Sequence, residues 1–412
     1  MTVPVINAFI NFSTGPSFGA AMVLDSGILG TNVLSDANTL IVDVSDVVDG
    51  ITTMRGRNAQ ADTFQTGTLT LRIVDQNGDF NPQNASGPYY GLLTPMRKVQ
   101  ITATYGAVEY PMFSGFITSY TTTTPKMATD VVYTTITAVD AFRLFQNSQV
   151  TNVTLASAGD LPGERVNAIL DEIEWPPSMR EIEYGTTIFQ ADPGTLRTAL
   201  GALQTASISE YGAIYVDARG SLTLKDRDYC ITSQAITPVA FNDDGTDINY
   251  FNAVWRLDDT LVYNSASITK IGGTAQLDQD QASIDEYFLH SYTQQNLVMD
   301  TNQAALDYAR AYVASRKDTE TRCDAIELDL FTPNYNTGIL AALTLDFFDP
   351  VEITTNQPGG SILNQTLQVF GVSHRVTPNS WKTTFTTLEP IIDGFILNSS
   401  LYGVLDTSVL AY

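Results

Sequence analysis

Two stretches of this chain, far apart in sequence, are written to one pattern, and any fold must accommodate that pattern twice. Val99-Gln-Ile-Thr-Ala103 resembles Val351-Glu-Ile-Thr-Thr355 at an offset of 351 − 99 = 252 positions. Met112-Phe-Ser-Gly115-Phe-Ile-Thr-Ser-Tyr120 follows the first copy, and Leu367-Gln-Val-Phe-Gly371-Val-Ser-His-Arg375 follows the second. Each Gly-marked segment leads into a Thr-rich one, residues 133–140 and 381–389. Alternation of apolar and polar residues at a period of two places one face of a strand in a core. Recurrence of such strands in the same order points to an internal duplication. The chain is therefore expected to hold the same small β-barrel twice, with other material inserted between the copies.

The segments around the echo fill in the plan. The first fifty residues are short apolar stretches broken by Gly, Ser, Asn and Asp, and read as strands and turns. Residues 68–74 alternate Leu69, Leu71 and Ile73 with Thr70 and Arg72, then stop at the turn Asp75-Gln-Asn-Gly-Asp79. A hairpin about Tyr105-Gly106 follows, and a further strand pair flanks residues 121–130. Composition shifts near residue 160. Val166, Ile169, Leu170 and Ile173 form the apolar stripe of an amphipathic helix over 162–175, ended by Trp175-Pro-Pro177. A second helix is expected to start at Asp192 as cap with Pro193 in its first turn, presenting Leu196, Leu200 and Leu203 on one face. A hairpin around Asp217-Ala-Arg-Gly220 comes next, and a third helix is expected over 302–316 with Ala305, Tyr308, Ala309, Tyr312 and Val313 as its stripe. Residues 324–389 read as β throughout. The expected fold is mainly β with α/β insertions. Residues 1–150 form the first barrel and 236–260 with 323–392 the second. The α/β insertions take 151–235 and 261–322, and 393–412 is a C-terminal tail.

Composition narrows the function. Charged residues are 16% of the 412, against roughly 25% in an average soluble protein, and the surface is correspondingly rich in Thr, Asn, Gln, Ser and Tyr. Such a surface costs little to desolvate against partner subunits, which favours a component of an assembly. Lys and Arg number 21 against 45 Asp and Glu, 21 − 45 = −24, so nothing supplies the basic face of an ordinary nucleic-acid binder. The first basic residue is Arg55, which leaves no basic n-region for a secretory signal, and no run of 18 apolar residues offers a membrane span. Synthesis in a cytoplasm is expected. Cys230 and Cys323 provide neither a disulfide framework nor metal-ligand spacing, and read as buried thiols.

Motifs that carry chemistry elsewhere find little support here. Gly15-Pro-Ser-Phe-Gly19 has the G-x-S-x-G spacing of a nucleophile elbow, but the strand–turn–helix that mechanism needs is not visible around it. His290 and His374 are the only imidazoles, and His374 reads as a packed strand residue. Asp75 to Asp79 opens like a calcium loop, yet the twelfth position is Ser86 where a bidentate Glu is required. Asn242-Asp-Asp-Gly-Thr-Asp247 is a denser acidic turn with two readings, a cation loop or a solvated Asx turn. No catalytic, cofactor-binding or metal residues are assigned, and the chain is not expected to be an enzyme or to need a cofactor.

An ordered series of short motifs resembles a known family. Arg55-Gly-Arg57 with Phe64-Gln-Thr-Gly-Thr68, Asn77-Gly-Asp-Phe80-Asn-Pro82 and Ser86-Gly-Pro-Tyr-Tyr90 open it. Leu93-Thr-Pro95, Val99-Gln-Ile101, Tyr110-Pro-Met-Phe113-Ser-Gly115 and Ala138-Val-Asp140 complete it. The series is similar to the N-terminal domain of the minor tail (hub) proteins of long-tailed, non-contractile bacteriophages and related gene transfer agents. Val23-Leu-Asp-Ser-Gly-Ile-Leu-Gly30 upstream, and Ser283-Ile-Asp-Glu-Tyr287, Val369-Phe-Gly-Val-Ser-His374 and Trp381 downstream, fit more loosely. No counterpart of the family's common C-terminal lysin or fibre extension is expected.

The resemblance implies a structural virion protein, a homotrimer at the tail tip. Its two tube-like barrels per chain give six around the axis and adapt a six-fold tube to a three-fold tip. Implied partners are the distal tail or tail tube protein, the tape measure protein, and tail fibres or receptor-binding proteins. Genomic DNA passes without specific binding, and no membrane insertion is implied. From the net charge, the acidic excess is expected to line or flank the channel, the alternative being acidity spread evenly for solubility. A carbohydrate-binding tail-tip adhesin and a tail-associated peptidoglycan hydrolase are the alternative functions. The tail, with Phe395, Ile396, Leu397, Leu401, Tyr402, Val404, Leu405, Val409, Leu410 and Tyr412, is apolar enough to be expected to dock on a partner subunit or an attached tip protein, the alternative being packing on its own chain.

Overall fold

The computed structural model describes residues 3–12, 40–57, 63–123, 131–233, 236–319, 321–331 and 335–389. The apolar tail at 393–412, the Gly15 to Gly19 motif and the Val23 to Gly30 segment lie outside the described residues. The alternating segments of the first third form seven strands: β1 (Val5–Asn11), β2 (Ile41–Asp43), β3 (Val48–Gly56), β4 (Gln65–Val74), β5 (Lys98–Tyr105), β6 (Val108–Thr123) and β7 (Tyr133–Val139). In β4 the period-two reading holds: Leu69, Leu71 and Ile73 are buried and the residues between them exposed. The strand stops because Asp75, itself buried, turns its carboxylate inward to take the Thr134 hydroxyl at 2.7 Å and the Phe80 amide. The β5–β6 hairpin turns on Gly106 (φ +59°) and Ala107 (φ +65°), the pair of positive φ values that matches the twist of the flanking strands. Pro111, which has no amide hydrogen to donate, falls where the β5–β6 register slips between Ile101 and Thr102.

The middle of the chain carries α1 (Phe142–Asn147), β8 (Gln149–Val150), α2 (Pro162–Glu172), β9 (Arg180–Ile182), β10 (Arg197–Thr198), α3 (Ala199–Glu210), β11 (Ala213–Val216), β12 (Leu222–Lys225) and α4 (Arg227–Thr232). Then come β13 (Val239–Asn242), β14 (Ile248–Asn249) and β15 (Asn252–Arg256). A second group of inserted elements follows: β16 (Ser265–Lys270), β17 (Gln276–Gln279), α5 (Gln281–Tyr287), β18 (Ser291–Leu297) and α6 (Asn302–Ala314). The chain continues with β19 (Arg322–Asp329), α7 (Tyr335–Thr344), β20 (Pro350–Asn356), β21 (Ile362–Thr377) and β22 (Ser380–Leu388).

Strand order shows the plan behind the echo. The first seven strands pair as β2-β1-β5-β6-β7-β4-β3, and a second seven pair as β14-β13-β20-β21-β22-β19-β15. Position by position, the strand that carries each motif occupies the same place in its set. Both central strands, β6 and β21, are 16 residues long; each pairs one neighbour with its first half and another with its second. The bulges coincide as well, falling between Ile117 and Ser119 in β6 and between Val369 and Gly371 in β21. The sets differ at one edge, where β1 is antiparallel to β5 but β13 is parallel to β20.

Two closed barrels were the expectation, and the ladders give something else. All fourteen strands belong to one continuous sheet, and among the described residues neither set closes on itself. The reason is local: the free edge of β3, which a closed first barrel would need, pairs with the second half of β21 instead.

The inserted helices follow their stripes with one correction. In α2, Val166, Ile169 and Leu170 are buried, and Glu164 returns its carboxylate to the Leu161 amide at 2.9 Å beside Pro162 in the first turn. In α6 the buried set is Ala305, Tyr308, Ala309, Tyr312 and Val313, as the periodicity requires. The helix expected from Asp192 begins only at Ala199, capped by the Thr198 hydroxyl on the Gly201 amide at 3.0 Å. Asp192 instead holds the Gly194 amide and the Arg197 guanidinium, and Gly194 (φ +63°) turns the chain away from the helical path. Leu196 is left exposed, while Leu200 and Leu203 are buried. The helix α7 interrupts a region that reads as β throughout. The two groups of inserted elements also pack on each other, through Ser209 Oγ accepting the Val298 amide at 3.0 Å and Tyr211 meeting Tyr308 edge-on at 4.5 Å.

Truncating Leu203, the fully buried member of the α3 stripe, should cost about 2–5 kcal/mol in urea unfolding. A change under about 0.5 kcal/mol, the size of a surface substitution, would show that the stripe is not what anchors this insertion.

Candidate functional site

The residues singled out by their chemistry are occupied with structural work. Burial pushes the Cys323 thiol up to about 11 and the Cys230 thiol higher still, so neither is a thiolate nucleophile near neutral pH. His374 is buried on β21, with Nδ1 3.0 Å from the Thr383 hydroxyl and Trp381 beside it. Burial, reinforced by Arg55, lowers its pKa to about 3, leaving a neutral imidazole that packs and does not shuttle protons at pH 7. His290 lies partly buried elsewhere, with Nε2 3.0 Å from its neighbour Tyr287's carbonyl. In the Asn242 to Asp247 turn the oxygens are engaged by the protein: Asp243 takes the Asn356 amide, Asp244 the Thr246 amide and hydroxyl, and Asp247 the Asn242 side chain. That is the hydrogen-bonding of an Asx turn.

What the fold does bring together is a junction around Arg55-Gly56-Arg57, a motif the sequence flagged without assigning a role. The Arg55 guanidinium bonds the Met112 carbonyl of β6 at 3.2 Å and Asp346 at 3.1 Å, and lies over the Phe347 ring. It thus touches both strand sets. Arg57 covers the Phe370 ring at 4.3 Å, and its amide donates to the Phe370 carbonyl at 2.9 Å. Gly56 between them has φ +113°, and a Cβ there would stand 2.2 Å from that carbonyl. Glycine is the one residue that fits this approach. Under the joint, Phe64 of the first set meets Phe347, Phe348 and Phe370 of the second and Tyr215 of the insertion, ring centroids 4.9 to 6.4 Å apart. Three carboxyls surround it, Asp140 buried and Asp217 and Asp349 partly so, each raised by desolvation: Asp140 to about 7, Asp217 to about 6 and Asp349 to about 6.

A cavity of about 450 Å³ lies between the two groups of inserted elements, against Arg165, Arg197, Ile271, Asn296 and Val298. Both arginines are already paired, with Asp160 and Asp192. Three exposed apolar side chains, Phe251, Val254 and Leu257, at 59%, 40% and 63%, are strung along β15 and its flanks. This is the composition of a contact surface. Among the described residues no helix is long and apolar enough to cross a membrane, and no group of three potential metal ligands gathers.

No family model and no curated protein sequence matches the chain. Among the solved structures that share its fold are two tail proteins. The 43 kDa tail protein of prophage MuSo2 from Shewanella oneidensis is 11% identical, covering 85% of this chain and 96% of its own, with a TM-score of 0.53. A tail protein from Neisseria meningitidis MC58 is 12% identical, covering 84% and 97%, with a TM-score of 0.55. The likeness is therefore one of fold, extending over most of both chains.

Two measurements test the junction. Gly56→Ala should lose about 2–3 kcal/mol or fail to fold, since it adds both a clash and strain at positive φ. The second uses pH. With its carboxyl near 7 when folded and about 3.9 when unfolded, Asp140 keeps a proton in the native state that the unfolded chain has released. Its contribution is present at low pH and is lost as pH rises from about 4 through about 7. Asp140→Asn should remove that slope, gaining stability relative to the unaltered protein across this window in urea unfolding. A difference independent of pH would show that Asp140 is not the group titrating.

Proposed function

We propose that this chain is a non-enzymatic structural component of a phage tail, acting as a homotrimeric hub at the distal tip. The observation that carries the proposal is the pair of strand sets with matching order and coincident bulges, on a fold shared with a prophage tail protein and a second tail protein. On this reading the sets descend from one duplicated tube-like barrel, and closure of each barrel comes from neighbouring sets in the assembly. Three chains then present six like units to a six-fold tube while the insertions remain three-fold. The division into 1–150, 151–235, 236–260 with 323–392, 261–322 and 393–412 follows the same logic.

The partners of such a hub are the tube or distal tail protein above, the tape measure protein along the axis, and fibres or receptor-binding proteins around it. A net charge of −24 per chain suits a passage through which DNA moves without adhering, because a basic wall would hold the polymer by counterion release. The mass in solution tests the assembly. Light scattering should give three times the 44.9 kDa chain mass, alone or once the tube protein is added. A six-copy ring in a tail reconstruction, one set of strands from each copy touching the tube, would overturn the hub reading.

A further inference from the structure

Each strand set ends in an edge, and the two edges are not treated alike within the chain. A row of paired residues crosses four strands in each set: Ser119, Thr137, Thr70 and Thr52 in the first, and Gly371, Thr386, Ala325 and Val254 in the second. Strand β15 is thus the counterpart of β3, and the second half of β6 is the counterpart of the second half of β21. Inside the chain, β3 adds to that half of β21 as an antiparallel strand, with Thr52 opposite Arg375. The corresponding pair, β15 and residues 119–123 of β6, does not meet: β15 pairs only with β19, and 119–123 only with β7, among the described residues. Among the described residues, one donor edge and one acceptor edge of the same geometry are therefore left open, at the two ends of the run β15-β19-β22-β21-β3-β4-β7-β6.

We propose that residues 254–258 of one copy, the second half of β15 and its continuation, add as an antiparallel strand to residues 119–123 of a second copy of this chain. The contact deepens the trimer proposed above and rests on it. The intrachain pairing supplies the template and the register. Arg375 lies four residues beyond Gly371, so its counterpart is Thr123, four beyond Ser119; Val254 is the counterpart of Thr52. Val254 therefore sits opposite Thr123. The edges are suited to it. Unpaired backbone groups on an edge strand are a template for another chain, and Phe251, Val254 and Leu257 expose apolar surface along one of them. Head-to-tail repetition of one contact closes into a ring or runs on as a filament. Here intrachain and interchain copies alternate, so every strand set acquires the same two neighbours.

Paired cysteines test the register. Cys230 and Cys323 are buried and do not compete. Under mild oxidation the double variant Thr123→Cys with Val254→Cys should give covalent species up to the trimer on a non-reducing gel, and either single variant should give none. Hydrogen exchange on the unaltered protein is the companion measurement, with 119–123 and 254–258 slowing together on assembly. A trimer in solution whose double variant forms no interchain disulfide and whose two segments exchange as in the monomer overturns the strand addition and leaves the hub reading standing. A chain that stays monomeric with the tube protein present, and forms no interchain disulfide, overturns both. Protection of both segments already in the monomer means that part of the same chain occupies the edges, and also overturns the proposal.

Discussion

The pairing of β3 with β21 is the constraint on which the rest of this structure depends. It is a ladder between residues more than three hundred positions apart in sequence, so its loop-closure entropy must be offset by the contacts it makes. Those contacts are unusually concentrated. Backbone hydrogen bonds join the strands, Gly56 lets the two main chains approach, and Arg55 and Arg57 cap the approach from either side over Phe347 and Phe370. Burying a guanidinium is costly unless it is paired and hydrogen-bonded. Arg55 meets that condition at two of its three nitrogens, Nη2 with Asp346 and Nε with the Met112 carbonyl, and so it ties β6, β3 and the segment after α7 into one unit.

Much of this was legible in the sequence, and what was not has physical causes. The echo at Val99 and Val351 identified strands that do hold equivalent places, because a strand's side-chain period survives divergence even when identity does not. The stripe of α6 was legible for the same reason: five apolar residues at helical spacing have one face to bury. The start of α3 was misplaced because Asp-Pro is an ordinary helix opening, and the competing Asx turn closed by Gly194 and Arg197 depends on a salt bridge that spacing does not disclose. The helix α7 was missed since Ile339, Leu340, Ala341, Ala342 and Leu343 form an apolar run without a polar face, which suits a buried strand as well as a buried helix. Barrel closure was beyond sequence altogether. Which edge pairs with which is a long-range choice, and both choices use the same backbone groups.

The junction was half legible. Arg55-Gly-Arg57 stood out as a motif, yet nothing in the sequence said that it would face Phe347 and Phe370, nearly three hundred residues on. The carboxyls around it were less legible still, since a buried Asp and a surface Asp are written with the same letter. Their raised values report a cost that the fold accepts. Asp140 offsets part of it by taking the Phe142 amide at 3.0 Å and the Gly67 amide at the mouth of β4.

A final step links the low charge, the duplicated sets and the open edges. Two like units on one chain raise each other's effective concentration, so the intrachain ladder forms without paying for association. The same ladder between chains has that cost to meet, and a surface poor in Lys and Glu lowers the desolvation part of it. An exposed apolar edge is also a hazard, because any like edge can add to it. In the proposed ring, each edge is covered by its counterpart, and the hazard ends when the ring closes. The two sets differ at β1 and β13, antiparallel in one and parallel in the other. A ring built from them therefore alternates, and its true symmetry is half its apparent one. That alternation is what a part lying between six-fold and three-fold neighbours requires.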